Sequence, residues 1–263
     1  MARHRDDGTL PASRRAEIVE LARQRGHVTV NELAATFNVS TDTVRRDLDQ
    51  LQSQGALSRA HGGAVLPDGQ QASHDPSYTE RESHQVDAKQ RIGKTAAGLI
   101  ADSETVLINP GTTTLAVARN LKTHRDLTVV TNNLQIPAMT PRGSARAIYL
   151  LGGTFQPESW ATVGPVGFVG GRGVSADKAV LGVGGISASA GLSLTDLAEG
   201  QMLWEMIQAA RTTIVVAGAE KFGREAFFHA APLAAVDVLV TDASPPPSLQ
   251  DALDAAGVTV LVA

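Results

Sequence analysis

The sequence predicts an α/β protein in two parts: a small N-terminal helical unit closed by a short hairpin, then a larger Rossmann-like domain on a parallel sheet. Three observations carry this. From Ser13 to Leu51, apolar residues recur at helical spacing, with capping residues between the repeats. Beyond Pro76, short runs of Val, Ile and Leu alternate with amphipathic stretches. Between them, the stretch from Pro67 to Pro76 is polar, bounded by prolines and without apolar periodicity, so it reads as a linker. The expected boundaries are 13–68 for the first domain, 69–87 for the linker and 88–263 for the second domain.

The first helix is expected from Ser13, as its cap, to about Gln24, with Ile18, Leu21 and Ala22 as its apolar stripe and Gly26 as its stop. Thr29-Val-Asn-Glu32 is a capping box: the threonine hydroxyl accepts from the backbone three residues on, and the glutamate reaches back. Leu33, Ala34 and Phe37 form the buried face of that second helix. Asn38-Val39 makes a tight turn, and Ser40 or Thr41 caps a third helix. On the third helix Val44, Leu48 and Leu51 point inward, while Asp42 and Arg46 lie nearly opposite, with Thr43 and Arg45 on the flanks. A recognition helix needs this division, because the stripe anchors it while guanidinium groups face the major groove. The capped N-terminus can also hold a backbone phosphate. Ala56–Ala60 and Ala64–Leu66, about a turn at His61-Gly-Gly63, predict a hairpin wing, from which Arg59 and His61 reach phosphate or the minor groove. The order of parts is that of a winged helix-turn-helix. A plain three-helix bundle with Arg45 and Arg46 on a solvated face is the alternative.

In the second part, strands are expected at Thr105–Ile108, Leu127–Thr131, Ala147–Leu151, Ala179–Val183, Thr213–Ala217, Val236–Val240 and Val258–Val262. Most are apolar at consecutive positions, which suits strands covered on both faces. Helices are expected at Ala88–Ala101, Thr113–Leu121, Leu197–Ala210 and Leu249–Ala256. Three features at strand ends suggest a small-ligand pocket. Gly111-Thr112-Thr113-Thr114 opens a helix and suits a phosphate. Asn132 and the Gly152-Gly153 pair follow two further strands, and the Lys221 ammonium is placed to neutralise an anion.

Composition narrows the function. The 263 residues contain no cysteine, which excludes disulfides, thiolate metal sites and a cysteine nucleophile. The net charge of −4 argues against a protein that coats nucleic acid, but residues 1–66 hold nine Arg and eight acidic groups while the remainder is net acidic. Met1–Asp7 carries no apolar run, so no signal peptide is expected, and no stretch approaches the ~20 apolar residues of a membrane helix. A cytoplasmic location is the default. The scattered histidines lack metal-ligand spacing, so neither metal nor cofactor is expected. Gly93-Lys94-Thr95 lacks the upstream glycine of a P-loop and reads as amphipathic helix. Gly182-Val-Gly-Gly185 lacks the third glycine of a dinucleotide loop.

Thr43-Val-Arg-Arg-Asp-Leu48 followed by Gly55-Ala-Leu-Ser-Arg-Ala-His-Gly-Gly-Ala-Val65 resembles the DeoR family of bacterial regulators, and the similarity extends over residues 13–263. The resemblance implies a winged helix-turn-helix that binds double-stranded operator DNA as a dimer or tetramer. Repression is expected rather than activation, because occluding a promoter needs no further contact surface. It implies a sensor domain similar to the ribose-5-phosphate isomerase and CoA-transferase fold, responding to a phosphorylated sugar or related small anionic effector. Gly111 to Thr114 match the family's phosphate loop; Asn132, Gly152, Gly153, Asp196 and Lys221 match other pocket positions. The chain departs from the family at Asn109-Pro110, where Asp-Ser is usual, and at Gly184, where Asp is usual. The loss of two carboxylates leaves open an unusual effector or a ligand-independent regulator. An isomerase-like enzyme with a DNA-binding appendage is the third reading, and it needs a general base near the loop.

Overall fold

The computed structural model describes residues 11–25, 27–53, 56–60, 63–65, 78–164 and 174–263. They divide into two compact units, Met1–Pro76 and Ser77–Ala263. Among the described residues no helix is long and apolar enough to cross a membrane.

The first unit runs α1 (Pro11–Arg25), β1 (His27–Thr29), α2 (Val30–Phe37), α3 (Thr41–Ser53), β2 (Ser58–Ala60) and β3 (Gly63–Val65). The capping box forms as expected: the Thr29 hydroxyl accepts from the Glu32 N–H, and the Glu32 carboxylate accepts from the Thr29 N–H at 3.1 Å. Asn38 ends α2 in the left-handed region at φ 51°, which asparagine tolerates. Ser13 does not cap the first helix. The helix already begins at Pro11, whose fixed φ suits a first turn and whose missing N–H costs nothing there. Gly26 lies outside the described residues. The wing gains a strand that three residues of sequence do not betray: β1 pairs antiparallel with β3, giving the order β1-β3-β2. Ile18, Ala22, Val28, Leu33, Phe37, Val44, Leu48, Leu51, Leu57 and Ala64 close one core.

That core also contains an ion pair. The Arg14 guanidinium of α1 donates to the Asp47 carboxylate of α3 at 2.7 Å, with both side chains more than nine-tenths buried. Asp47 therefore sits on the inner face of α3 beside Leu48, and it joins the first helix to the third.

The second unit begins with α4 (Tyr78–Ser83) and α5 (Val86–Ala97). The 69–87 segment is thus not connecting chain throughout; Tyr78 is buried and α4 belongs to the second unit. Then follow β4 (Thr105–Ile108), α6 (Thr112–Arg119), β5 (Leu127–Thr131), α7 (Ile136–Met139), β6 (Ala145–Leu150), β7 (Thr154–Gln156) and β8 (Ala161–Val163). After them come β9 (Ala176–Leu181), β10 (Gly185–Ser187), β11 (Gly191–Leu194), α8 (Leu197–Ala209), β12 (Ala210–Val216), β13 (Phe228–Ala231), β14 (Val238–Thr241), α9 (Pro247–Ala255) and β15 (Thr259–Val262).

The seven strands expected from the sequence form one parallel sheet, in the order β15-β14-β12-β9-β4-β5-β6. Its two faces bury separate cores. One holds Leu107, Leu181, Leu203, Met206, Val215 and Leu239. The other holds Ile92, Ile108, Leu115, Leu127, Val129 and Ile136. Missing from the sequence reading are the antiparallel sheet β10-β11-β13 and the β7–β8 hairpin. Their three- and four-residue strands are too short for an alternating pattern to register.

Strand order reverses at β4. The chain moves to β5 and β6 on one side, then returns to β9 on the other, so a crevice opens between the C-terminal ends of β4 and β9. Helix α6 starts at that rim, as it follows β4 and feeds the parallel β5. Helix α5 runs the same way: the His124 ring, just beyond α6, reaches the Ala97 and Ile100 carbonyls at its far end, both at 3.0 Å. Gly93 lets the two helices touch, since a Cβ there would stand 2.6 Å from the Ala116 carbonyl carbon. That contact accounts for the glycine at position 93.

Candidate functional site

Helix α3 presents the face the sequence predicts. Val44 and Leu48 are fully buried, while Asp42, Arg45 and Arg46 are exposed and Thr41 and Thr43 are half-buried. Ser40 is the cap: its hydroxyl accepts from the Thr43 N–H at 3.2 Å and lies 2.9 Å from the Thr43 hydroxyl. The helix N-terminus is thereby capped, and the end of a helix is where backbone N–H groups without intrahelical partners can donate to an anion. Arg45 donates to Asp42 at 2.8 Å along the exposed face. That pair positions Arg45, and a DNA phosphate would compete with Asp42 for it. Arg59 lies in β2, opposite Ala64 of β3. Its side chain and the whole of His61 lie outside the described residues.

In the second unit, the rim at the C-terminal strand ends gathers most of the expected pocket residues. Gly111 precedes α6, and Thr112 and Thr113 occupy its first turn, half-buried. Thr114 is different. It is fully buried, and its hydroxyl points back to the Asn109 and Gly111 carbonyls at 2.8 and 2.9 Å. It shapes the loop from within and offers no hydroxyl to a ligand, contrary to the expectation.

Asn109 explains one departure from the family pattern. Its amide donates to the Gly182 carbonyl at 2.8 Å and accepts from the Gly182 N–H at 2.7 Å, which joins the tips of β4 and β9 across the crevice floor. A carboxylate could accept but not donate. At Gly184, the other departure, a Cβ would stand 3.1 Å from the Ser193 carbonyl oxygen, a tight contact that a side chain could make only if β11 gave way by a few tenths of an ångström.

Asn132 ends β5, 1% exposed, with its amide donating to the Thr162 carbonyl at 2.8 Å. Its Oδ1 is buried and accepts no hydrogen bond among the described residues. Gly152 is exposed with open space around it, and Gly153 allows close approach of the β7–β8 hairpin, a Cβ there lying 2.6 Å from the Val163 carbonyl oxygen. Asp196 caps α8, accepting from the Glu199 N–H at 2.8 Å, so one of its oxygens is committed to the fold.

Lys221 ends a 3-10 turn, Ala219–Lys221, just after β12. Sequence reasoning missed its neighbour on α5. Lys89 stands close enough to Lys221 and Glu220 to feel both charges. Burial pushes the Lys89 ammonium below its ordinary value; Glu220 opposes that shift, and Lys221 and Arg81 add to it. A lysine on a predicted amphipathic helix carries no signal of this, because Glu220 and Lys221 lie more than a hundred residues away in the chain.

The comparisons with known proteins match this architecture. Residues 14–70 match the DeoR-like helix-turn-helix domain, and residues 84–243 match the DeoR C terminal sensor domain. The chain is 34% identical over 245 residues to the HTH-type transcriptional repressor GlcR of Bacillus subtilis, covering 93% of each chain. It is 34% identical over 236 residues to the glycerol-3-phosphate regulon repressor of Escherichia coli, covering 90% of this chain and 92% of that one. Among solved structures, a D-ribose-5-phosphate isomerase aligns at a TM-score of 0.39 and 17% identity over 52% of this chain and 54% of the other. With both halves matched in order and relatives similar along nearly their whole length, the chain belongs to the DeoR family of DNA-binding transcriptional regulators.

Proposed function

We propose that this regulator is a cytoplasmic repressor of a carbohydrate or related metabolic operon. Residues 13–68 bind double-stranded operator DNA through Ser40–Thr43, Arg45, Arg46, Arg59 and His61. Residues 88–263 sense a small anionic metabolite and form the contacts of a dimer or tetramer. A phosphorylated sugar or similar anion sits at the β4–β9 crevice, against Gly111, Thr112, Thr113 and Lys221, with Asn132, Gly152, Gly153 and Asp196 along the rim. Its occupancy shifts operator affinity by the usual coupling of about 1–3 kcal/mol, roughly 5–150-fold.

One observation carries the effector assignment: the helix N-terminus that opens at Gly111 and the Lys221 turn stand at the same end of the sheet, where the strand order reverses. The names of the two relatives, a repressor and a glycerol-3-phosphate regulon repressor, support it. The isomerase reading lacks the carboxylate base it needs at position 109, where an amide is tied to Gly182. The test is fluorescence anisotropy of the full chain on its own upstream DNA at one fixed salt, with and without phosphorylated sugars. Release by one compound is the expected result. Specific binding that no compound alters would favour the ligand-independent regulator.

A further inference from the structure

The β7–β8 hairpin holds two aromatic rings that the core does not use. Its strands set Phe155 opposite Thr162 and Gln156 opposite Ala161, so the turn between them is Pro157-Glu158-Ser159-Trp160. Trp160, the last turn residue, lies in the left-handed region at φ 53°, a conformation that glycine or asparagine usually fills. A bulky residue held there is strained, and strain of this kind collects at functional sites. The rings of Trp160 and Phe155 meet edge to face with centroids 6.1 Å apart, and both residues are 45% exposed. Each ring therefore keeps open surface.

The hairpin is bonded to the crevice residue by residue. The Thr131 hydroxyl donates to the Ile108 carbonyl at 2.6 Å, so the chain leaving β5 starts beside the loop that carries Asn109 and Gly111. The next residue, Asn132, makes two bonds to Thr162: its side-chain amide donates to the Thr162 carbonyl at 2.8 Å, and its carbonyl accepts from the Thr162 N–H at 2.9 Å. Asn133 bridges to Ala161, and the Leu134 N–H donates to the Trp160 carbonyl at 2.9 Å. The strand that ends the turn thus runs along the Asn132 segment, three residues against three. Helix α4 grips the same parts: Tyr78 donates to the Gln135 side chain, and Arg81 donates to the Glu158 carbonyl in the hairpin turn at 3.0 Å.

Aromatic surface beside a few polar groups is the lining of a small-molecule site. A pyranose ring suits this combination. One face of the sugar presents C–H groups that lie flat on an aromatic ring, and its hydroxyls can satisfy an acceptor such as Asn132 Oδ1, which is buried and accepts no hydrogen bond among the described residues. An open-chain ester has no such face. We propose that Trp160, supported edge-on by Phe155, stacks against the effector, and that the effector is a phosphorylated pyranose. The proposal rests on the effector reading given above. It adds the class of sugar and the residue that selects it.

The test titrates the full chain by calorimetry with glucose 6-phosphate, mannose 6-phosphate, galactose 6-phosphate and glycerol 3-phosphate. The variants are Trp160→Gly, which removes the ring and is at ease at φ 53°, and Trp160→Phe, which keeps a ring. For the pyranose ester that the wild type binds, W160G weakens binding by roughly tenfold and W160F stays within a few-fold of the wild type. The chain has two tryptophans, so in Trp204→Phe the emission comes from Trp160 alone. Saturation with that ester shifts the emission to the blue and protects it from acrylamide, a reading that leaves the hairpin unaltered. A W160G protein that binds the ester with the wild-type constant, or a Trp160 emission and quenching that saturation leaves unchanged, overturns this inference and leaves the effector reading standing. So does a wild type that binds glycerol 3-phosphate and none of the three pyranose esters. A wild type that binds none of the four overturns the phosphate reading itself, and this inference with it.

Discussion

Asn109 and Gly182 exchange two hydrogen bonds, of 2.8 and 2.7 Å, across the tips of β4 and β9, at the point where the order of the parallel sheet reverses. Asn109→Asp keeps the shape but turns the donor into an anion facing the Gly182 carbonyl. We expect a loss of about 1–3 kcal/mol, the usual cost of leaving a buried partner unsatisfied. The sign with pH follows. Only the protonated acid can donate to that carbonyl, so the folded state raises the pKa of the introduced acid above its unfolded value of about 3.9. The missing stability is regained as pH falls toward that value and lost again as pH rises. Calorimetric melting of the variant from pH 4 to 7 measures this; a variant that melts with the wild type throughout would show that the pair contributes nothing.

Asp47 predicts the opposite kind of failure. Asp47→Ala leaves the Arg14 guanidinium buried without its 2.7 Å partner. Breaking one side of a buried pair costs about 3–5 kcal/mol, a large part of the stability of so small a unit. Hydrogen exchange should show α1 and α3 opening together while the parallel sheet keeps its protection. The pairing is structural if the double variant Arg14→Met, Asp47→Leu recovers most of the loss.

Arg46 is exposed on α3 and makes no ion pair with Asp42, as Arg45 does. Arg46→Ala should weaken specific operator binding by about 1–3 kcal/mol at fixed salt, with the effect concentrated at one base position. A uniform loss over all sequences, with a shallower salt dependence, would reassign Arg46 to a phosphate contact.

Tyr78 fastens α4 to the rim, and its ionisation should release it. Burial first, and the Glu82 carboxylate second, push the phenol from 10.0 up to about 12. A folded value above the unfolded one means that this contribution is complete below pH 10 and is lost as pH rises toward 12. Of the two tyrosines in the chain, one should show a tyrosinate absorbance step near pH 12 that is absent from Tyr78→Phe. Exchange of the α4 amides should rise in step with it. An absorbance step that survives in Tyr78→Phe would assign the high value to another group.

The parts of this protein that were legible in its sequence are local ones. Thr29 and Glu32 are three residues apart, so their capping box is written in adjacent letters; the Val44, Leu48 and Leu51 stripe and the seven apolar strand runs are likewise read within a dozen residues. Because each depends only on backbone periodicity and on side chains within a turn or two, composition and spacing determine it. The short strands β10, β11 and β13, the three-residue β1 and the six-residue α4 fall below that length and went unread. Tertiary structure alone decided which polar groups meet. Arg14 and Asp47 are 33 residues apart, and Asn109 and Gly182 are 73 apart. It also decided that the Thr114 hydroxyl turns inward, and that one oxygen of Asp196 is spent on capping a helix. The physical reason is the same in each case. Parallel crossovers bring the ends of distant strands and helices to one rim, and a side chain's hydrogen-bond partner there is set by what the crossovers place beside it, not by its neighbours in the chain.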